Sequence, residues 1–197
     1  MNGFIKEREG IYRLKVQYTT VYTSIFLIET EVGDFLVDTA SYDEDIDTCL
    51  IPALREMSKS LEGLSGIVIT HDHFDHSGGL KRIREYAPSI RVITGICEIS
   101  EGIETYPMAG HTEDAIGVFD GRTNTLISGD GLQGAGVDKY RTSAPFKDEY
   151  LKTIERIKKD ERIENILFSH AYEPWFKDGV FGREAVISAV EKCKEYV

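Results

Sequence analysis

The residues best suited to chemistry are three histidines and Asp75 in one short segment, 71–76, with the sequence HDHFDH. This segment directly follows the apolar run 67–69, which is typical of a buried strand, so the side chains collect at the end of that strand. Close imidazoles are hard to protonate together, whereas neutral imidazole nitrogens and carboxylate oxygens are good ligands of divalent metal ions. The segment therefore predicts a metal site.

The spacing within the segment separates the ligands into two pairs. In an extended loop, His71 and His73 point to the same side of the chain, so both can reach one ion. Asp75 and His76 enter the next helix, displaced along the chain, where they suit a second ion. Two ions about 3.5–4 Å apart can bind one bridging water, lower its pKa towards about 7 and supply hydroxide at neutral pH.

Three further residues have types and positions that could add to such a site. His111 and His170 each lie in a loop after or between strand-like segments, and Asp130 ends the strand-like run 126–129. Taken singly, each of these is a weak signal.

The elements that must position these residues are typical of a layered α/β protein. Runs that alternate with a period near two, or that are short and apolar, predict strands at 11–18, 24–29, 35–38, 67–69, 90–93, 115–120, 125–128 and 163–168. Apolar spacings of three and four predict helices at 45–58, 77–86, 147–159 and 183–196. Two successive sets of strands and helices predict two pseudo-symmetric halves, and because no linker divides them we expect one domain over residues 1–197.

Composition narrows the function classes. The 197 residues include 34 acidic and 23 basic side chains, and the net charge of −11 argues against nucleic acid as a partner. No apolar run approaches the roughly 20 residues of a membrane span, and the first residues contain no apolar secretion signal. Three scattered cysteines fit a reducing compartment. We therefore expect a cytoplasmic protein without a membrane or nucleic-acid partner; its oligomeric state is left open.

The order of these motifs resembles the metallo-β-lactamase superfamily over nearly the whole chain. The matching motifs are Asp38 after the strand-like run 35–37, the HDHFDH segment, His111 in Gly110-His111-Thr112, Asp130 in Ser128-Gly129-Asp130, and His170 in Ser169-His170. All five histidines of the chain fall in these motifs.

This resemblance implies a four-layer αββα sandwich with a binuclear metal site at one edge. It implies a first ion bound by His71, His73 and His111, a second bound by Asp75, His76 and His170, and Asp130 as the bridging ligand. It also implies that Asp38 does not bind the metal itself and orients the loop that carries the ligands. An aspartate at this position could instead cap a turn.

Details of the motifs point to the hydrolytic branch of the superfamily. In the related flavodiiron proteins a glutamate takes the place of His73. Some β-lactamases have a thiolate at the position of Asp130, whereas this chain has a carboxylate there. Five nitrogens and two carboxylates suit zinc, with iron or manganese as alternatives. The length matches a minimal, glyoxalase II-like or lactonase-like member, without the additional helical domain of glyoxalase II.

The resemblance thus implies a binuclear hydrolase acting on a small ester, thioester, lactone or related molecule. A metal-bridging hydroxide would attack the carbonyl, and Asp75 would act both as ligand and as acid–base group. One alternative is an iron-dependent redox enzyme that oxygenates a thiol or persulfide with the same ligands. Another is a non-catalytic metal-binding module.

Candidate substrate contacts lie outside the metal motifs. The irregular segment 131–145 contains Lys139, Tyr140 and Arg141, which could form a basic and aromatic rim for an anionic substrate or could be a solvated loop. Tyr22, in the turn between the first strands, and Tyr172, just after His170, could line the pocket or serve only in packing.

We predict that replacing both Lys139 and Arg141 with Ala raises KM for an anionic substrate without changing kcat, because a rim binds without touching the reacting bond. Steady-state kinetics at increasing salt should show the effect shrinking, since exposed charges are screened over about 8–10 Å. Equal KM values for the variant and the parent at every salt concentration would identify the segment as a solvated loop.

Overall fold

The computed structural model describes residues 3–132, 144–171 and 177–197. The chain divides into two compact units, Met1–Thr94 and Gly95–Val197, and each contains its own six-stranded sheet. The prediction of a single domain over 1–197 is not tested by this division and stays a prediction.

The first unit contains six strands whose order in the sheet equals their order in the chain. These are β1 (Ile5–Arg8), β2 (Ile11–Tyr18), β3 (Val21–Thr30), β4 (Gly33–Val37), β5 (Gly66–Val68) and β6 (Val92–Ile93). The first four pair as antiparallel neighbours, and β4–β5 and β5–β6 are parallel.

Helical segments provide the crossovers that the parallel pairs need. They are α1 (Asp43–Asp45), a π-helical turn (Ile46–Leu50), α2 (Ile51–Glu56), a 3₁₀ turn (Leu61–Gly63), α3 (Phe74–Ser77) and α4 (Leu80–Tyr86). The widened π turn immediately precedes Pro52, which has no N–H to donate to the preceding helical turn.

One face of the first sheet packs on these helices. Alternate strand residues, including Leu14, Ile25 and Leu36, are fully buried in one apolar cluster with Ile46 and Leu50 of the helical segment. The period of two in the strands and of three to four in the helices brings both apolar sets to the same interface. The helices predicted at 45–58 and 77–86 are therefore confirmed in kind, although their bounds differ by a few residues.

The second unit repeats the sequential strand order. Its strands are β7 (Glu98–Ser100), β8 (Ile103–Pro107), β9 (Ile116–Asp120), β10 (Thr125–Ile127), β11 (Asn165–Leu167) and β12 (Gly179–Phe181), and its helices are α5 (Lys147–Lys159), α6 (Arg183–Cys193) and a terminal 3₁₀ turn (Lys194–Tyr196). As in the first unit, three antiparallel pairs are followed by a parallel pair, here β10–β11. The last pair, β11–β12, is antiparallel and breaks the repeat.

The second unit has a separate core between its sheet and α5 and α6. Tyr150 and Ile154 of α5 and Val190 of α6 are fully buried beside Phe168. The α5 bounds equal the predicted range, 147–159. The prediction missed β1, β7, β8 and β12, which all lie at or next to sheet edges, where the burial that produces a clear alternation is incomplete.

Candidate metal centre

In the first unit, the predicted site residues collect where two parallel strands end. Asp38 follows β4 and His71 follows β5, and because Val37 pairs with Val68 the two strands end at the same level of the sheet. The backbone N–H of Asp38 donates to the carbonyl of Val68 at 2.8 Å, which fixes the two loops against each other.

The Asp38 carboxylate is fully buried and accepts three hydrogen bonds. The donors are the backbone N–H of Thr70 at 2.8 Å, the hydroxyl of Thr70 at 2.9 Å and the Nδ1 of His76 at 2.7 Å. A carboxylate can only accept, so Nδ1 of His76 carries the proton and Nε2 presents a lone pair. Asp38 adopts a left-handed backbone (φ 63°), a conformation that costs a non-glycine residue energy and that concentrates at functional sites.

Three imidazoles of the HDHFDH segment lie in contact. The ring centres of His71 and His73 are 4.6 Å apart, and those of His71 and His76 are 4.2 Å apart. His71 and His76 are buried and His73 is exposed. Oδ2 of Asp75 lies 3.7 Å from Nε2 of His76, so the nitrogen with the available lone pair faces a carboxylate oxygen.

In the second unit, Asp130 lies between two histidines. Its Oδ2 is 3.8 Å from Nε2 of His111, and its Oδ1 is 3.3 Å from Nε2 of His170. Asp130 and His170 meet because β10 and β11 are parallel neighbours and their carboxyl ends coincide. His111 lies in the connection from β8 to β9, which opens at the same edge because β9 runs antiparallel to β10.

Gly110 fixes the backbone just before His111. Its φ is 144°, and a Cβ at this position would lie 2.6–2.7 Å from atoms of Tyr150. The carbonyl of Gly110 accepts from the N–H of Phe146, and the hydroxyl of Thr153 donates to the carbonyl of Ala109 at 2.8 Å. Only glycine permits this close packing of the His111 loop on α5.

Both sets of side chains fit a divalent metal. Two ligands each about 2.1 Å from one ion lie roughly 3–4 Å from each other. The measured separations of 3.7 Å in the first unit and of 3.3 and 3.8 Å in the second fall in this range. Nitrogen and carboxylate oxygen donors together suit zinc, iron or manganese.

The hairpin formed by β2 and β3 also contacts the first unit's site. The hydroxyl of Thr23 donates to the backbone carbonyl of Asp75 at 2.9 Å. The strand pairs Val16–Thr23 and Tyr18–Val21 put Tyr18 on the same face as Thr23. Tyr22 lies on the opposite face of this hairpin, with the ammonium of Lys15 4.6 Å from its ring centre, and its predicted role in a pocket stays a prediction.

Other predicted contacts cannot be placed. Lys139, Tyr140, Arg141 and Tyr172 lie outside the described residues. Sequence reasoning missed Thr70, whose hydroxyl connects Asp38 to His71 (3.1 Å to Nδ1), although its position directly before the HDHFDH segment is a signal that could have identified it.

A separate groove of about 790 Å³ in the second unit contains no predicted metal ligand. It is lined in part by the buried Tyr106, whose pKa is raised to about 12, first by burial and then by the charge of Asp160. The guanidinium of Arg162 pairs with both Asp160 and Glu104, so these acidic groups have structural partners.

Comparison with known proteins agrees with this geometry. Residues 18–93, which include β3 to β6 and the HDHFDH segment, match the family model described as metallo-beta-lactamase superfamily. The fold of the whole chain matches the crystal structure of DIM-1 metallo-β-lactamase with a TM-score of 0.76 and 17% identity, over 100% of this chain and 98% of that one.

Residues 18–93 therefore resemble the metallo-β-lactamase superfamily, and the fold is that of the solved metallo-β-lactamases. Two sheets with helices, as in the solved metallo-β-lactamases, confirm the predicted α/β fold class. No helix in the described ranges has the length and apolar character needed to cross a membrane.

Curated proteins resemble this chain over part of their length. A probable hydroxyacylglutathione hydrolase of Encephalitozoon cuniculi is 30% identical over 61% of this chain and 52% of its own length. Hydroxyacylglutathione hydrolase 1 of Vibrio vulnificus is 31% identical over 55% of this chain and 49% of its own length. The chain thus spans about half the length of these relatives.

We predict that Asp38→Asn weakens metal binding about 10–100-fold while the protein remains folded. The amide oxygen can still accept from Thr70, but the amide nitrogen can only donate to Nδ1 of His76. The ring proton then lies on Nε2, which no longer has a lone pair for a metal ion. Competition with a chromophoric zinc chelator measures the affinity, and circular dichroism reports the fold.

Asp47→Asn is the matched control, because this carboxylate also accepts several side-chain hydrogen bonds in the first unit, from Arg82 and Tyr86. Equal zinc affinity in Asp38→Asn and Asp47→Asn would contradict an orienting role of Asp38.

Proposed function

We propose that the chain is a binuclear metal-dependent hydrolase that cleaves a small ester, thioester or lactone. The observation that carries this proposal is Asp130, which presents one oxygen to His111 and the other to His170. This arrangement, with each oxygen near a different nitrogen ligand, suits a carboxylate that bridges two ions through its two oxygens. The ligands that the resemblance implies are His71, His73 and His111 for one ion, Asp75, His76 and His170 for the other, and Asp130 for both.

Bound ions would supply a water of lowered pKa and positive charge for the oxyanion that develops on the substrate carbonyl. Zinc suits the donor set best, with iron or manganese as alternatives. The remaining tasks belong to side chains of the protein.

Asp75 is the residue that we expect to move a proton. Its carboxylate is only partly buried and lies beside Nε2 of His76, so it can accept a proton from the attacking water and pass it to the leaving group. The hydroxyl of Thr23 holds the backbone carbonyl of Asp75, and Asp38 holds the ring of His76. The backbone of Asp75 and the ring of the neighbouring His76 are therefore fixed before a substrate binds, which reduces the reorganisation needed in the transition state.

The names of the relatives support hydrolysis of a small molecule. Two relatives, which this chain matches over about half of their length, are named hydroxyacylglutathione hydrolases. That name describes the hydrolysis of a thioester. His73, where the related flavodiiron proteins have a glutamate, supports hydrolysis over the iron-dependent redox alternative. Oxygen consumption by iron-loaded protein in the presence of a thiol would favour the redox reaction instead.

We predict about two divalent ions per chain after reconstitution, measured by elemental analysis. His71→Ala should reduce this number and abolish hydrolysis while the fold remains, because the core of the first unit is apolar and does not depend on the metal.

Asp72→Ala is the control for the metal measurement. Asp72 lies in the same segment, but its carboxylate accepts from the hydroxyl of Ser77 and it is not a predicted ligand, so this variant should keep both ions. A stoichiometry that never exceeds one in the parent protein would contradict the binuclear assignment.

We predict that Asp75→Asn loses far more rate than metal. An amide oxygen still fills a coordination position, but the amide cannot accept a proton, so kcat should fall about 10²–10⁴-fold. Rate and metal content are measured on the same samples. Activity that decreases only in proportion to the metal content would show that Asp75 is a ligand without a role in proton transfer.

A further inference from the structure

One face of α5 contacts the backbone that leads to His111. Phe146, which directly precedes the helix, is followed by Tyr150, Thr153 and Arg156 at spacings of four, three and three residues. Residues at these spacings lie on the same side of a helix. This side of α5 therefore faces the loop between β8 and β9, in which His111 lies.

The same face donates hydrogen bonds to carbonyl groups just before His111. The bonds run from the guanidinium of Arg156 to the carbonyl of Pro107 (3.0 Å), from the hydroxyl of Thr153 to that of Ala109 (2.8 Å), and from the backbone N–H of Phe146 to that of Gly110 (3.1 Å). The last two acceptors are the two residues that immediately precede His111, so α5 fixes the backbone from which this side chain projects.

Thr153 is the buried side chain among these donors. It is 1% exposed, whereas Arg156 is exposed to solvent. A threonine hydroxyl inside a helix commonly bonds a carbonyl of its own helix, three or four residues earlier. The hydroxyl of Thr153 donates to Ala109 of the neighbouring loop, and because water competes little for a buried donor, this bond holds the loop more firmly than that of Arg156.

The loop itself leaves the carbonyl of Ala109 to this outside donor. Its ends are joined by the N–H of Met108 donating to the carbonyl of Ala115, and its turn by the N–H of Gly110 donating to the carbonyl of Thr112, each at 2.9 Å. Neither bond uses the carbonyl of Ala109. A loop that is ordered before its ligand arrives loses less conformational entropy on binding, so the bond from Thr153 favours metal binding by the loop.

We propose that Thr153 is a positioning residue for His111, whose loop it holds in place before a metal ion binds. The inference rests on the proposed function in one respect, that His111 is a ligand of the ion assigned to His71, His73 and His111. It adds to that function a residue outside all the metal motifs on which the affinity for this ion depends.

Substitutions at Thr153 can separate its hydroxyl from its methyl group. Thr153→Val keeps a similar shape and removes the hydroxyl, whereas Thr153→Ser keeps the hydroxyl and removes a buried methyl group. If Thr153 served only in packing, loss of the methyl group would be the more harmful change, and Thr153→Ser would be the weaker variant in every measurement. Positioning of His111 predicts the opposite order for zinc affinity.

The first test follows the imidazole of His111 during a zinc titration. The chain contains five histidines, so the ring signals of protein labelled with ¹⁵N-histidine can be assigned by single substitutions. A chelator buffer sets the free zinc concentration. Thr153→Val should raise the concentration that half-saturates His111 about 3–10-fold, the contribution of one neutral hydrogen bond, and Thr153→Ser should match the parent.

Thr125→Val is the matched control. Thr125 is buried in the same unit and its hydroxyl donates to the carbonyl of Thr123 at 3.1 Å, but it begins β10, at the end of the strand away from Asp130. This variant should keep the zinc midpoint of the parent. Thr153→Ala and Thr153→Ser differ only in the hydroxyl, so this pair repeats the comparison if Thr153→Val does not fold.

A zinc midpoint of His111 that is the same in Thr153→Val as in the parent would overturn the inference. So would a midpoint in Thr153→Ser as high as in Thr153→Val, because it would show that the methyl group and not the hydroxyl is responsible.

The second test measures the order of the loop without metal. In metal-free protein, hydrogen exchange of the Gly110 amide should be about 3–10-fold faster in Thr153→Val than in the parent, and unchanged in Thr153→Ser and Thr125→Val. Faster exchange in Thr153→Val, in a protein whose His111 binds no zinc, would support the positioning of the loop and overturn only the proposed function. Zinc binding by His111 with a midpoint and an exchange rate that Thr153→Val leaves unchanged would overturn the inference and leave the proposed function standing.

Discussion

A buried carboxylate costs considerable free energy unless hydrogen-bond donors surround it, and Asp38 is fully buried with three of them. The donors come from Thr70, at the end of the neighbouring strand, and from His76, on the helix that follows. Removing the carboxylate would leave buried donors without an acceptor. The Asp38 carboxylate therefore fixes the loop after β4, the loop after β5 and α3 to one another. The orientation of the His76 ring depends directly on this arrangement.

The two units place their polar site residues with a similar strand topology. In each, three antiparallel pairs lead to a parallel pair, and polar residues follow the carboxyl ends of the parallel strands. The ends of parallel neighbours coincide, so residues distant in the chain meet there: Asp38 with Thr70 in the first unit and Asp130 with His170 in the second. Glycine then sets the fine position, at Gly78 against the carbonyl of Ser41 and at Gly110 against Tyr150.

The names of the relatives and the charge of this chain bear on the substrate in different ways. Two relatives are named hydroxyacylglutathione hydrolases, and this chain matches about half of their length. The net charge of −11 disfavours the approach of an anionic substrate unless positive charge lies at the site, and bound divalent ions would supply such charge.

The sequence by itself predicted most of the helices and strands and the type of site that they carry. Periodicity predicted α5 over its full range and the two helical crossovers of the first unit, because burial of one face imposes the apolar spacing. The HDHFDH segment predicted a metal site because its candidate ligands are adjacent in the chain, and the order of the other motifs resembles that of the metallo-β-lactamase superfamily. Edge strands such as β7 and β12 were missed, since partial burial leaves no clear alternation.

Only the tertiary structure decided which residues meet across distant segments. Nothing in the local pattern connects the ring of Tyr42 to that of Phe74, or places Tyr18 rather than Tyr22 on the face of the hairpin that carries Thr23. The first contact depends on the close approach that Gly78 permits, and the second depends on which face of the hairpin each tyrosine occupies. Such contacts are set by packing between segments, and a linear sequence encodes packing only through the complete fold.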